Sequence, residues 1–234
     1  MLHLRRALGA TMAAGAYAAC VASASPSPDA IGRARVTAKT EVGSTRWLKL
    51  QTLDYVDPTG RARKWDMATR TTKRADAGGG VDGVAILALL RSKQAGSTET
   101  LLVQQFRPPI DAVTVELPAG LIDKGETAET AALRELKEET GYVGRASSTS
   151  PILAMSPGLC DESIRLCVVE VDLNAPENKT PKQMLQDEEC ISVRRVPLKD
   201  LLTTLKDCEK EGKVPFAGLY TLAAGLSIGA GVGL

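Results

Sequence analysis

The sequence predicts an α/β sandwich around a mixed sheet. Three observations point there: many short β-branched or aliphatic runs bounded by turn residues, one helical segment in the middle of the chain, and a second helical segment near its end. The 234 residues suffice for one domain of ordinary size with additional segments. A net charge of +1, from 29 basic and 28 acidic residues, argues against a general nucleic-acid or anionic-membrane binder, which needs a basic excess.

Residues 46–70 read as two strands about a turn, with Asp57, Pro58, Thr59 and Gly60 supplying the turn chemistry. Residues 75–83, ADAGGGVDG, read as a break. Strands follow at 84–90 and 100–106, joined by a polar hairpin loop, and at 113–117. Residues 152–173 hold two more strands around a Pro-Gly loop. A polar loop covers 174–189, and 190–197 is a further strand. Residues 198–212 are helical, with Leu198, Leu201, Leu202 and Leu205 on one face and Gly212 as the stop.

The two ends differ from the middle. Residues 1–28 contain Arg5 and Arg6, no acid, and much Ala and Ser. That composition suits a mitochondrial leader; a secretory signal, or a plain tail on a cytoplasmic or nuclear protein, is the alternative. From Val214 onward the chain carries no charge. Its glycines and alanines leave too little hydrophobicity for a membrane anchor, so a terminal helix at 219–226 packed on the domain, with a frayed end, is expected.

Cys20, Cys160, Cys167, Cys190 and Cys208 are odd in number and include no C-x-x-C, so they read as small buried hydrophobes rather than a zinc or disulfide framework. The only histidine is His3, which excludes Ser-His-Asp, Cys-His and His-ligated zinc catalysis from the folded domain.

The central helix is the informative one. Thr127 is its N-cap and Gly141 its C′ stop, so the spacing predicts a helix over 128–140. At about 100° per residue, Glu139 lies about 40° from Glu135 on one side and Glu138 about 60° on the other. All three carboxylates share a face, while Leu133 and Leu136 point to the core. Arg134 sits one turn before Glu138 and can brace it. A solvated charged face is the plain reading of such a run. A second reading is a site for an oxygen-loving divalent cation, Mg²⁺ or Mn²⁺, shared with a phosphate.

The surroundings favour the second. Gly120, Glu126, then seven residues, then Arg134-Glu135-Leu136-Lys137-Glu138-Glu139-Thr140-Gly141-Tyr142 resemble the Nudix box at each fixed position, with Tyr142 in a slot where an aliphatic residue is usual. RWLKL, DPTGRARKW, QQFRPP, ELPAGLIDKGE and MSPGLCDE extend the resemblance to the ADP-ribose pyrophosphatase (ADP-sugar diphosphatase) branch, in its eukaryotic form, over about residues 46–226.

That resemblance implies a Nudix-type α/β/α sandwich with a mixed sheet, preceded by an N-terminal antiparallel hairpin or sheet. It implies a leader at 1–30, an N-terminal β region at 31–80, a Nudix domain at 81–228 and a tail at 229–234. The implied reaction is hydrolysis of ADP-ribose to AMP and ribose 5-phosphate with two to three Mg²⁺ (or Mn²⁺). Ala119, Glu135 and Glu139 match the metal ligands, with Glu138 and Arg134 in the catalytic helix. Trp47 and Trp65 match tryptophans that sandwich adenine across a homodimer interface, and Asp66 would accept from the adenine amino group. Arg70 and Arg107 match arginines that hold diphosphate and ribose. Glu189 aligns with the general base, with Asp187 and Glu188 as substitutes. ADP-glucose, ADP-mannose or an oxidised guanosine diphosphate are alternative substrates, and a non-catalytic ADP-ribose-binding module is the alternative class. No nucleic-acid polymer and no membrane is expected as partner.

Overall fold

Alternation along two central strands builds the sandwich. The computed structural model describes residues 31–73, 80–92 and 96–231. In chain order the elements are β1 (Arg35–Ser44), β2 (Leu48–Val56), β3 (Ala62–Arg70), β4 (Gly83–Arg91), β5 (Glu99–Arg107), β6 (Ala112–Glu116), β7 (Ala119–Leu121), α1 (Ala128–Thr140), β8 (Arg145–Thr149), β9 (Leu153–Ala154), β10 (Ser163–Asp172), β11 (Ser192–Pro197), α2 (Leu201–Lys210), β12 (Val214–Pro215) and α3 (Ala217–Gly229). Val84, Ile86, Ala88 and Leu90 of β4, with Cys167, Val169 and Val171 of β10, pack against Ala128, Ala131, Ala132 and Leu136 of α1. Leu87 and Leu166, one residue out of phase, face the other way. They meet Leu201, Leu205 and Cys208 of α2 and Leu219 and Ala223 of α3. The sheet therefore has helices on both faces.

Among the described residues the large sheet has nine strands in the order β12-β6-β5-β4-β10-β8, with β11 on β5, β7 on β4 and β9 on β10. β4 and β10 run parallel, as do β6 and β12, and the remaining pairs are antiparallel. α1 packs across the parallel β4–β10 pair, which is joined by a long connection through β5, β6, β7, α1, β8 and β9. A separate three-stranded antiparallel sheet, β1-β2-β3, precedes it. Asp57 closes the β2–β3 turn by accepting from Thr59 N, Thr59 Oγ1 and Arg61 N. Those donors, Thr59 first, hold its carboxyl well below the usual range.

The small sheet is tied to the domain along one seam. Ala68 N donates to Leu159 O (3.0 Å), Trp65 Nε1 to Gly158 O (3.2 Å), and Arg70 pairs with Glu162 (2.6 Å). Just beyond β3, Lys73 bonds the buried Asp82 (3.1 Å).

Several expectations need amendment. The N-terminal region has a third strand, β1, that the pattern does not announce: all ten of its residues are exposed, so no face carries an apolar signature. β8 and β12 are likewise additional, polar or very short. The helix expected at 198–212 starts at Leu201 after a 3₁₀ turn over Leu198–Asp200 and ends at Lys210. The terminal helix is longer than 219–226, running to Gly229. Cys167 and Cys208 are buried, Cys160 is half-buried, and Cys190 is exposed, so the buried-hydrophobe reading fails for Cys190. The leader and Cys20 lie outside the described residues. Among the described residues no helix is long and apolar enough to cross a membrane.

Candidate functional site

Local capping chemistry sets the helix that carries the acidic face. Thr127 Oγ1 accepts from Thr130 N at 3.2 Å, and Gly141, at φ 76°, returns its N–H to Lys137 O at 2.9 Å. These ends give α1 the predicted span Ala128–Thr140. Gly141 has a second constraint, since a Cβ there would meet Lys182 N at 2.3 Å.

Four segments converge on the acidic face. From α1 come Arg134, Glu135, Glu138 and Glu139. β7 brings Ala119 and Gly120 alongside: Ala119 N donates to Glu139 Oε2 at 3.0 Å. A Cβ on Gly120 would sit 2.0 Å from Glu135 Cδ, so the glycine makes room for that side chain. The loop after the 3₁₀ turn at Pro176–Asn178 brings Glu189, and β5 brings Arg107.

The electrostatics follow from burial. Glu139 is 4% exposed. Burial, above all, pushes its carboxyl up to about 8; the Ala119 N–H opposes that rise, and the charges of Glu135 and Glu189 add to it. Burial also raises Glu135, Arg134 pulls it back, and Glu138 and Glu189 push it further. Glu189 therefore stands within electrostatic reach of both. Its carboxylate meanwhile accepts from Gln186 N at 2.9 Å.

Arg134 is the cation inside this group. It bonds Glu126 with two nitrogens (2.9 and 2.8 Å), Glu135 at 2.7 Å, Glu138 at 3.3 Å and the Leu121 carbonyl at 3.0 Å. Its guanidinium is held even more firmly protonated than usual, chiefly by Glu126. The expected brace on Glu138 is present, but it is the longest of these contacts; Glu126, eight residues earlier, takes the bidentate grip.

The arginines expected to bind phosphate are held by carboxylates that sequence reading missed. Arg107 makes a bidentate pair with Glu116, Nε to Oε1 and Nη2 to Oε2, both 2.9 Å, and Thr114 Oγ1 also donates to Glu116 Oε1 at 2.5 Å. Glu139 and Glu162 also help hold the Arg107 charge, so this guanidinium lies toward the acidic cluster. Arg70 is paired with Glu162. Thr114 and Glu116 alternate on β6, a same-face signal in VTVEL that could have marked Glu116 as a partner for a nearby base. Glu162 lies 92 residues from Arg70, and no local pattern links them.

One chain does not bring the two tryptophans together. Trp47 precedes Leu48, which pairs with Arg70, whereas Trp65 pairs with Leu53 further along the ladder. That offset is about 20 Å at strand rise. Both are about half exposed, at 55% and 49%. Arg46 lies over the Trp47 ring at 4.4 Å. Trp65 walls a cleft of about 450 Å³ between the two sheets, with Leu53, Met67, Ile152 and Leu159 around it and Glu162 at its polar side. Asp66 is exposed and accepts from Thr52 Oγ1 at 2.7 Å.

The donor set fits a hard divalent cation. Glu135, Glu139 and the neighbouring main-chain carbonyls offer only oxygen, and both carboxyls resist ionising without added positive charge. Among the described residues no three His, Cys, Asp or Glu side chains form a closed cage. A cation here therefore needs carbonyl, water or ligand oxygens to complete its shell, the usual habit of Mg²⁺ beside a phosphate.

Comparison with known proteins agrees with this arrangement. A family model for the NUDIX domain matches residues 81–216. An ADP-ribose pyrophosphatase of Saccharomyces cerevisiae is 43% identical over 186 residues, 80% of this chain and 79% of that protein. An ADP-sugar pyrophosphatase of Mus musculus is 37% identical over 174 residues, 74% of this chain and 78% of that protein. A crystal structure of an ADP compounds hydrolase superposes with a TM-score of 0.53 over 85% of this chain and 96% of that chain; at 18% identity it speaks to the fold.

Proposed function

The chain belongs to the NUDIX family of hydrolases, and from that premise we propose that it hydrolyses the diphosphate of ADP-ribose, and of related ADP-sugars, releasing AMP and the sugar phosphate. The observation that carries the reading is the buried Glu139 beside Glu135, in a chain whose relatives bear the names ADP-ribose and ADP-sugar pyrophosphatase. The intact acidic face argues against a module that only binds ADP-ribose.

Glu135, Glu139 and the Ala119 carbonyl are the proposed holders of Mg²⁺ or Mn²⁺, two or three ions in all, with Glu138 close by. When bound, such ions neutralise the diphosphate and lower the pKa of coordinated water. The protein's own part is orientation and proton transfer. Arg134 holds Glu135 and Glu138 in place while leaving Glu139 to the Ala119 N–H. Arg107 presents one free edge of its guanidinium beyond the Glu116 pair, suited to phosphate oxygens, and Arg70 the same beyond Glu162. Glu189 accepts the proton of the attacking water; to do so its carboxylate leaves Gln186 N.

The separation of Trp47 from Trp65 supports an adenine site made by two copies, each supplying one indole to a stacked base, with Asp66 accepting from the adenine amino group. We extend the proposal to residues 1–30 as a mitochondrial leader, which a fluorescent fusion of that segment tests. The central experiment is incubation with ADP-ribose and Mg²⁺, with AMP as the expected product. Turnover of an oxidised guanosine diphosphate in preference to ADP-ribose refutes the substrate assignment, and nucleotide binding without product refutes the enzyme.

A further inference from the structure

The loop that carries Glu189 is fastened at both ends by one side chain. Gln183 Nε2 donates to Glu139 O at 2.6 Å and to Ile191 O at 3.0 Å. Both partners are carbonyl oxygens, so the amide must turn its NH₂ toward them, and each hydrogen is used once. Gln183 lies immediately before the loop 184–190, and Ile191 immediately after it. The same amide thus joins the two stems to each other and to the end of α1.

The anchorage falls on the metal-helix carbonyls themselves. Glu138 O and Glu139 O belong to the last turn of α1, where carbonyls have no partner within the helix. Met184 N takes Glu138 O at 2.8 Å, and Gln183 takes Glu139 O. The Gly141–Lys182 approach presses the entering strand of the loop onto the same end. Inside the loop, Glu189 N bonds Gln186 O at 2.9 Å, closing a turn that carries the carboxylate.

We propose that Gln183 is a positioning residue: by pinning both stems of loop 184–190 to the last turn of α1, it fixes how far the Glu189 carboxylate stands from Glu135 and Glu139. The inference rests on Glu189 being the base, and it assigns a reason for a glutamine at the start of this polar loop. A carboxylate at this position has the same shape but turns two acceptors on two carbonyls, so the stems part. Misplacing a reacting group by about 1 Å costs about a hundredfold in rate.

Four variants and two readouts test it. Gln183→Glu is expected to lower kcat about 10- to 100-fold with KM changed less than about threefold. Glu189→Gln lowers kcat on its own, and the double variant should match Glu189→Gln to within about twofold, since Gln183 acts only through that residue. If the two effects multiply instead, Gln183 has a general structural role and the proposal is overturned. Gln183→Ala, a milder change, is followed by deuterium uptake of the free protein. Faster exchange confined to 184–190, with the first turns of α1 unchanged, is the expected result, and unaltered loop exchange overturns the pinning. If Glu189→Gln leaves kcat intact, the base assignment fails instead, and the pinning then stands or falls on the exchange result alone.

Discussion

The burial of Glu139 makes a measurable demand on the metal-free protein. Its carboxyl is raised from an ordinary 4.5 to about 8, so the folded state holds a proton that the unfolded chain releases. The stabilising contribution of that proton is complete below about pH 4.5 and is lost as the pH rises to about 8; above that, the fold carries a buried charge. At about 1.4 kcal/mol per pH unit, the window from 4.5 to 8 sets a ceiling of about 5 kcal/mol. Water entry and side-chain relaxation reduce this, and about 2–4 kcal/mol is the expected loss. Glu139→Gln is the reference, because its amide oxygen still accepts from Ala119 N and cannot ionise. Urea unfolding in EDTA at pH 5, 6, 7, 8 and 9 should show the parent losing this stability relative to the variant, part of the difference arising from relief of Glu135. Adding Mg²⁺ at pH 8 should restore the parent and leave the variant nearly unchanged. Parallel pH profiles for the two proteins would refute the reasoning.

Arg134→Ala leaves Glu126 and Glu135 without their cation and should cost about 2–3 kcal/mol by urea midpoint, with Arg134→Lys recovering only part of it. Gly120→Ala meets the flexible end of Glu135 rather than backbone, so the melting temperature should move by only a few degrees while kcat/KM falls about a hundredfold and Mn²⁺ affinity drops. Trp47→Ala and Trp65→Ala each remove about 1–3 kcal/mol of stacking, so KM for ADP-ribose should rise about 5- to 150-fold with kcat nearly constant. A collapse of kcat at unchanged KM would exclude them from base recognition.

What the sequence reveals is what short-range rules govern. α1 is legible to the residue because Thr127 and Gly141 are caps whose chemistry lies within a turn of the helix. β4 is legible because its burial leaves a continuous aliphatic run, and β10 because its buried residues Cys167, Val169 and Val171 alternate along the strand. β1 is not, since a strand with no buried residue leaves no period to read. The helix after Pro197 starts late because its first three residues tighten into a 3₁₀ turn. In the site, Glu135, Glu138 and Glu139 follow from helical spacing, whereas Glu189, which acts electrostatically on Glu135 and Glu139, is singled out only by the family resemblance. The partner of Arg70 is invisible beforehand, and that of Arg107 is hinted at only by the Thr114–Glu116 alternation, which does not say which base it meets. Charge pairing across a sheet or a seam depends on register, which no window of sequence contains.

The resting electrostatics of α1 explain why one arginine sits among the glutamates. Glu126, Glu135 and Glu138 all share the Arg134 guanidinium, so its one positive charge is divided and cannot balance them. Glu139 lies outside its reach and is stabilised by an amide dipole, which offsets only part of the burial cost. The arrangement therefore has a graded deficit of positive charge, smallest at Glu126 and greatest at Glu139, nearest β7. A divalent cation gains most at the deep end, and there it does not have to displace Arg134. Had Arg134 bonded Glu139 instead, metal and guanidinium would compete for one carboxylate. By taking Glu126 bidentately, the arginine fixes the helix against the loop 121–126 and leaves the buried carboxylate clear for the proposed ion. Of the two carboxylates proposed as ligands, Glu135 is shared with the guanidinium and Glu139 is not, and the difference is set by how far a single side chain can reach.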